Sequence, residues 1–123
     1  MNFTTPRKRA LGHGSGRSGT HHHWKITCTS IALCLLVPVF VITFGVGYGG
    51  TFQEVQAFFS RPFPVIITAL TLIVGLMHLT MEVNTALEDY VHGIPQKLAI
   101  FGATAFSYVL MAIGLFALAR MAL

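Results

Sequence analysis

The placing of charged side chains constrains this chain more than any other feature. Between Lys25 and Glu54 lie 28 consecutive uncharged residues, between Arg61 and Glu82 another 20, and between Lys97 and Arg120 another 22. A helix needs about 20 predominantly apolar residues to cross the hydrocarbon core of a bilayer, so each stretch is long enough to span it. Only 10% of the residues are charged and 54% are hydrophobic, against about 25% charged in an ordinary soluble domain. The chain therefore reads as an all-α integral membrane protein with three transmembrane helices, at about residues 24–48, 63–90 and 97–121. These make up a membrane domain over residues 23–123, behind a flexible basic tail over residues 1–22.

Arg7, Lys8 and Arg9 stand ahead of the first apolar run, as they would in a cleavable leader. The run starts too late and continues too long for an apolar segment of about 7–15 residues, so it reads as a retained span. Six cationic residues (Arg7, Lys8, Arg9, Arg17, Lys25 and Lys97) fall on one side of the three spans and two (Arg61 and Arg120) on the other. Positive-inside counting puts the N-terminus in the cytoplasm of a bacterium, its inner membrane holding the protein, or in the matrix if the membrane is the mitochondrial inner one. The basic tail suits anionic lipid or an acidic partner surface, or serves only as a topology signal. Nothing in the pattern points to nucleic acid.

Local signals refine the picture. Trp24 and Tyr48 sit where interfacial aromatics belong. Pro38 falls inside the first span and is expected to kink it. The run "GVGYGG" at 45–50 has neither the preceding strand nor the soluble helix of a nucleotide-binding turn, and reads as the end of that span. Pro62 and Pro64 suit the first turn of the second helix, while Gly93 and Pro95 stop it. Ala99, Ala103 and Ser107 give the third span a small-residue face that lets another helix approach closely. Cys28 and Cys34, six residues apart on one helix, point in different directions and suggest neither a disulfide nor a thiolate metal site.

The second span carries the chemistry. On a helix turning about 100° per residue, His78, Glu82, Thr85 and Asp89 share one stripe, which Thr71 and Gly75 extend. A charged side chain at the bilayer centre costs on the order of 3 kcal/mol, so such a stripe must face protein, cofactor or water. A rise of about 1.5 Å per residue sets His78 about 16 Å from Asp89, deep in the membrane if Asp89 and Tyr90 mark the helix end. Taken alone, a histidine there is a packing residue, a proton relay or a metal ligand. Tyr90 offers one phenolic donor and Asp89 a carboxylate, a pair fitted to a ligand carbonyl near the membrane surface, or to interfacial anchoring. His21, His22 and His23 diverge around a helix and make a poor metal site, reading instead as a solvated juxtamembrane run.

The pattern of a histidine, ten residues and Asp-Tyr, continued as "DYVHG" and followed by "QK", resembles the small membrane-anchor subunit of succinate dehydrogenase (respiratory complex II). "PRKRALG" and "HWKIT" are similar to alphaproteobacterial members of that family. The resemblance implies half of a two-subunit anchor bundle that encloses one haem b. It implies an iron–sulfur subunit and a flavoprotein as further partners, carrying iron–sulfur clusters and FAD. It also implies His78 as one axial haem iron ligand, Tyr90 as hydrogen-bond donor to ubiquinone, Asp89 as organiser of the quinone site, and Lys25 beside the haem propionates. The chain alone is then not expected to be catalytic, its enzyme being succinate:ubiquinone oxidoreductase. Glu82 departs from the family pattern, in which many relatives carry glycine. The rival readings are a haem-free anchor and a small transporter or proton channel.

Overall fold

The computed structural model describes residues 3–12 and 18–123. The tail expected over residues 1–22, and Arg17 with it, falls partly outside the described residues.

Three long helices make the fold: α2 (Ser18–Gly47), α4 (Pro62–Tyr90) and α5 (Ile94–Ala122), with a six-residue helix α1 (Pro6–Leu11) before them and α3 (Phe52–Phe59) between the first two. No strand occurs among the described residues. Their membrane-spanning segments, Gly19–Gly47, Pro62–Tyr90 and Ile94–Ala122, hold 29 residues each, about 43 Å of helix, more than a hydrocarbon core of about 30 Å requires. The excess lies at the ends. Helix α2 starts ahead of its apolar run and carries the histidine triplet as a helical extension.

The ends follow local chemistry. Pro62 and Pro95 occupy first-turn positions of α4 and α5, where a missing N–H costs nothing. Gly93 takes φ +80°, a left-handed conformation that reverses the chain between α4 and α5. Across that turn Gln96 Nε2 donates to the Glu88 carbonyl at 3.2 Å.

Helix α3 was not expected in the first loop. Its start is a capping box: the Thr51 hydroxyl accepts from the Glu54 N–H at 3.4 Å, and the Glu54 carboxylate accepts from the Thr51 N–H at 2.9 Å. The helix carries two rings onto the bundle end. Phe58 and Phe59 meet edge to face with centroids 5.2 Å apart, and Phe59 packs on Phe44 at 6.2 Å. The Phe58 ring occupies the space a Cβ at Gly47 would need. The glycine run 45–50 is thus a helix end with a packing role.

Phe59, Thr43, Gly47 and Pro64 are the buried residues among those described, and all four lie at this end. Elsewhere the helix surfaces stay half-buried or exposed: Leu35, Ile42, Phe101, Phe116 and many other large apolar side chains point outward. In a bilayer that outward apolar surface meets acyl chains or a partner helix, and association rests on close packing and polar links rather than on a water-driven core. Helix α4 is central, packing on both α2 and α5. Against α5, Leu72 fills the gap left by Gly114. Ala99, Ala103 and Ser107 are all half-buried, and Ser107 shares a cleft of about 140 Å³ with Thr80 and Met81 of α4.

Candidate functional site

Part of the polar stripe of α4, namely Gly75, His78 and Thr85, turns toward α2, while Glu82 and Asp89 are exposed. Three links set the register. His22 Nε2 lies 3.0 Å from Thr85 Oγ1, Thr29 Oγ1 lies 2.9 Å from His78 Nδ1, and Leu33 Cδ2 lies 3.9 Å from where a Cβ on Gly75 would sit. Each seven-residue step along α2, from His22 to Thr29, is answered by a seven-residue step back along α4, from Thr85 to His78. Two helix turns per link is the spacing at which antiparallel helices keep one seam in contact. The same face of α2 therefore reads the same stripe of α4 over most of a leaflet.

His78 is held by one nitrogen. Its side chain is 22% exposed, with Nδ1 on Thr29 and Nε2 3.9 Å from Glu82 Oε1, one turn further along α4. That distance is too long for a hydrogen bond, so the Glu82 carboxylate acts on Nε2 only through its field. Glu82 itself is about half exposed and faces outward. The arrangement leaves Nε2 without a hydrogen-bonding partner among the described residues.

Lys25 sits one turn before Thr29 on α2, and its carbonyl accepts from the Thr29 hydroxyl at 2.9 Å. Its ammonium group is on an exposed side chain at the same helical end as His22, about 6 Å along the axis from Thr29. Asp89 and Tyr90 close α4, and both are exposed; Tyr90 is 86% exposed and makes no side-chain hydrogen bond within the described residues. His92 follows in the turn and is exposed as well. The structure thus joins His78 to α2 and leaves Asp89, Tyr90 and Lys25 exposed at one bundle end, with no side-chain partner among the described residues.

Two features escaped the reading of the sequence. His22, taken as part of a solvated run, reaches the stripe through Thr85; Thr29 carried no motif at all. A second polar link ties α4 to α5, where Asn84 Nδ2 donates to Thr104 Oγ1 at 3.2 Å while Asn84 Oδ1 is buried with no partner among the described residues. No group of three or more His, Cys, Asp or Glu residues positioned for a metal ion occurs among the described residues. A metal at His78 must take its remaining ligands from elsewhere. Cys28 and Cys34 are free thiols on the exposed surface of α2.

The profile of the family described as succinate dehydrogenase/fumarate reductase transmembrane subunit matches residues 1–119. The chain belongs to that family. A relative, the succinate dehydrogenase hydrophobic membrane anchor subunit of Paracoccus denitrificans, is 41% identical over 123 residues, covering all of this chain and 95% of its own length. No solved structure gives a significant match. As a succinate dehydrogenase/fumarate reductase transmembrane subunit, the chain is a multi-pass membrane anchor, which accounts for three apolar helices with little mass outside them. The expected family, membrane class and all-helical architecture are borne out.

Proposed function

We propose that this anchor serves a succinate:ubiquinone oxidoreductase and contributes to two sites, a haem b deep in the bilayer and a ubiquinone nearer the surface. The observation that carries the first is the state of His78. An axial ligand to haem iron must offer a bare ring nitrogen while its other nitrogen is anchored. Here Nδ1 is anchored on Thr29 and Nε2 has no hydrogen-bonding partner among the described residues, so the residues present fit the group. A second histidine would come from a partner anchor subunit, and Lys25 would supply positive charge toward the propionates. When bound, the haem supplies a one-electron carrier.

For the quinone, Tyr90 donates its phenolic hydrogen to a carbonyl oxygen, and Asp89 beside it orients a cationic side chain of a partner. The exposure of both residues supports this reading, since neither is committed within its own chain. Oxidation of succinate takes place on a flavoprotein and electrons reach the membrane through an iron–sulfur subunit. This chain supplies position, charge and a proton donor. The basic residues before α2, with Lys97, put the N-terminus on the cytoplasmic face of a bacterial inner membrane.

The competing reading, a haem-free anchor in which His78 only packs, draws on the same bond to Thr29. A reduced-minus-oxidised spectrum of the purified complex separates the two. A bis-histidine b-type signal in the unaltered complex that is lost in His78→Ala supports the ligand; its absence from the unaltered complex, or its survival in the variant, refutes it.

A further inference from the structure

Thr29 lies at the junction of three short contacts. Its hydroxyl oxygen is 2.9 Å from the Lys25 carbonyl, 2.9 Å from the Ile26 carbonyl and 2.9 Å from His78 Nδ1. A hydroxyl has one hydrogen to give and two lone pairs to receive with. The two carbonyl oxygens can only accept. If the Thr29 hydrogen pointed at His78, both carbonyls would face a bare oxygen with nothing between them. The hydrogen therefore goes to the helix carbonyls, and Thr29 is left to accept from the ring. This assigns the hydrogen of the neutral imidazole to Nδ1 and the free lone pair to Nε2.

The opposite tautomer has a sponsor in the same chain. Glu82 Oε1 stands 3.9 Å from Nε2, and its negative charge favours a hydrogen there, on the nitrogen that must be bare to bind a metal. Thr29 and Glu82 thus draw the ring hydrogen in opposite directions, and Thr29 alone does so at hydrogen-bonding distance. We propose that Thr29 is the positioning residue of the cofactor site: acting across the α2–α4 seam, it sets the tautomer and ring plane of His78 so that Nε2 is presented to haem iron against the pull of Glu82. The inference rests on the haem reading of His78 and extends it to a residue 49 positions away.

A hydrogen bond from the distal nitrogen to an acceptor also raises ligand basicity, and outer partners of this kind are worth roughly 10- to 100-fold in metal affinity. A more basic ligand favours the ferric state. Removing the acceptor should therefore weaken haem retention and move the haem midpoint potential upward.

The test uses the whole complex purified with Thr29→Val, Thr29→Ser and the double variant Thr29→Val/Glu82→Gln, with haem per flavin measured by pyridine haemochrome and the potential by redox titration. Thr29→Val should lower haem retention roughly 10- to 100-fold on dilution or detergent washing and raise the potential. Thr29→Ser, which keeps the hydroxyl, should restore both. Neutralising Glu82 in the double variant should recover part of the retention. If valine blocks assembly, Thr29→Ala removes the same hydroxyl from a smaller side chain and carries the same expectations. Unchanged haem content and potential in Thr29→Val or Thr29→Ala, or a serine variant no better than valine, overturns the role of Thr29. A b-type spectrum that survives His78→Ala overturns the haem reading itself, and the two failures are distinct.

Discussion

Replacing Tyr90 by phenylalanine isolates a single oxygen atom. The Tyr90 side chain is 86% exposed, its hydroxyl has no partner within the described residues, and the α4 cap that follows it is made by backbone, from the Val91 N–H to the Leu87 carbonyl at 2.9 Å. Removing the hydroxyl therefore takes nothing from the fold of this subunit, and any loss of turnover belongs to what the phenol contacts in the assembled enzyme. If the phenol only holds the quinone in place, one neutral hydrogen bond of about 0.5–1.5 kcal/mol is lost, a factor of roughly 2 to 13 in kcat/KM for quinone. If it also donates the proton to the reduced ring, the loss rises to between about 100- and 10,000-fold in kcat. The assay compares succinate:ubiquinone turnover with succinate oxidation by an artificial acceptor that bypasses the membrane. The first should fall while the second stays intact. Equal loss of both would mean misassembly, and no loss of either would remove Tyr90 from the quinone site.

Two further substitutions probe the frame that carries the site. In Gly114→Val the new side chain meets the Leu72 δ-methyl in the α4–α5 seam; overpacking of this kind costs about 1–3 kcal/mol. The expected result is a lower thermal midpoint of the purified complex, with Gly114→Ala milder because the end of Leu72 can move aside. Thr51→Ala removes one arm of the α3 capping box, a loss of about 0.5–2 kcal/mol. At about 1 kcal/mol, amide hydrogen exchange at Glu54 and Val55 should quicken roughly fivefold while α2, α4 and α5 keep their protection.

Much of this architecture was legible because charge spacing is a one-dimensional signal. The uncharged stretches that begin after Lys25, Arg61 and Lys97 became α2, α4 and α5, with Gly93 and Pro95 at the turn where they were expected. Helix α3 was not expected although its signature is present: Thr51 and Glu54 have the spacing of a capping box, but eight helical residues are too few to show as an apolar span. The half-site was harder. His78 stood out by its type and depth, yet its partner Thr29 is an ordinary membrane-helix threonine whose meaning depends on the register of two helices. That register is fixed by residues far apart in the chain, through Leu33 over Gly75 and the His22–Thr85 and Thr29–His78 links, and no local pattern encodes it. His22 is exposed, as a solvated juxtamembrane residue should be, but the helix runs beyond the apolar stretch, so its ring also reaches Thr85 of α4.

The four buried residues gather at the α3 end of the bundle, while the half that holds His78, Lys25 and Tyr90 is joined by single polar links. Such a subunit is clasped at one rim and latched at the other. On the reading proposed above, a flat prosthetic group held between two anchors would have to part only the latched side, and its loss would leave the clasp at the α3 end standing.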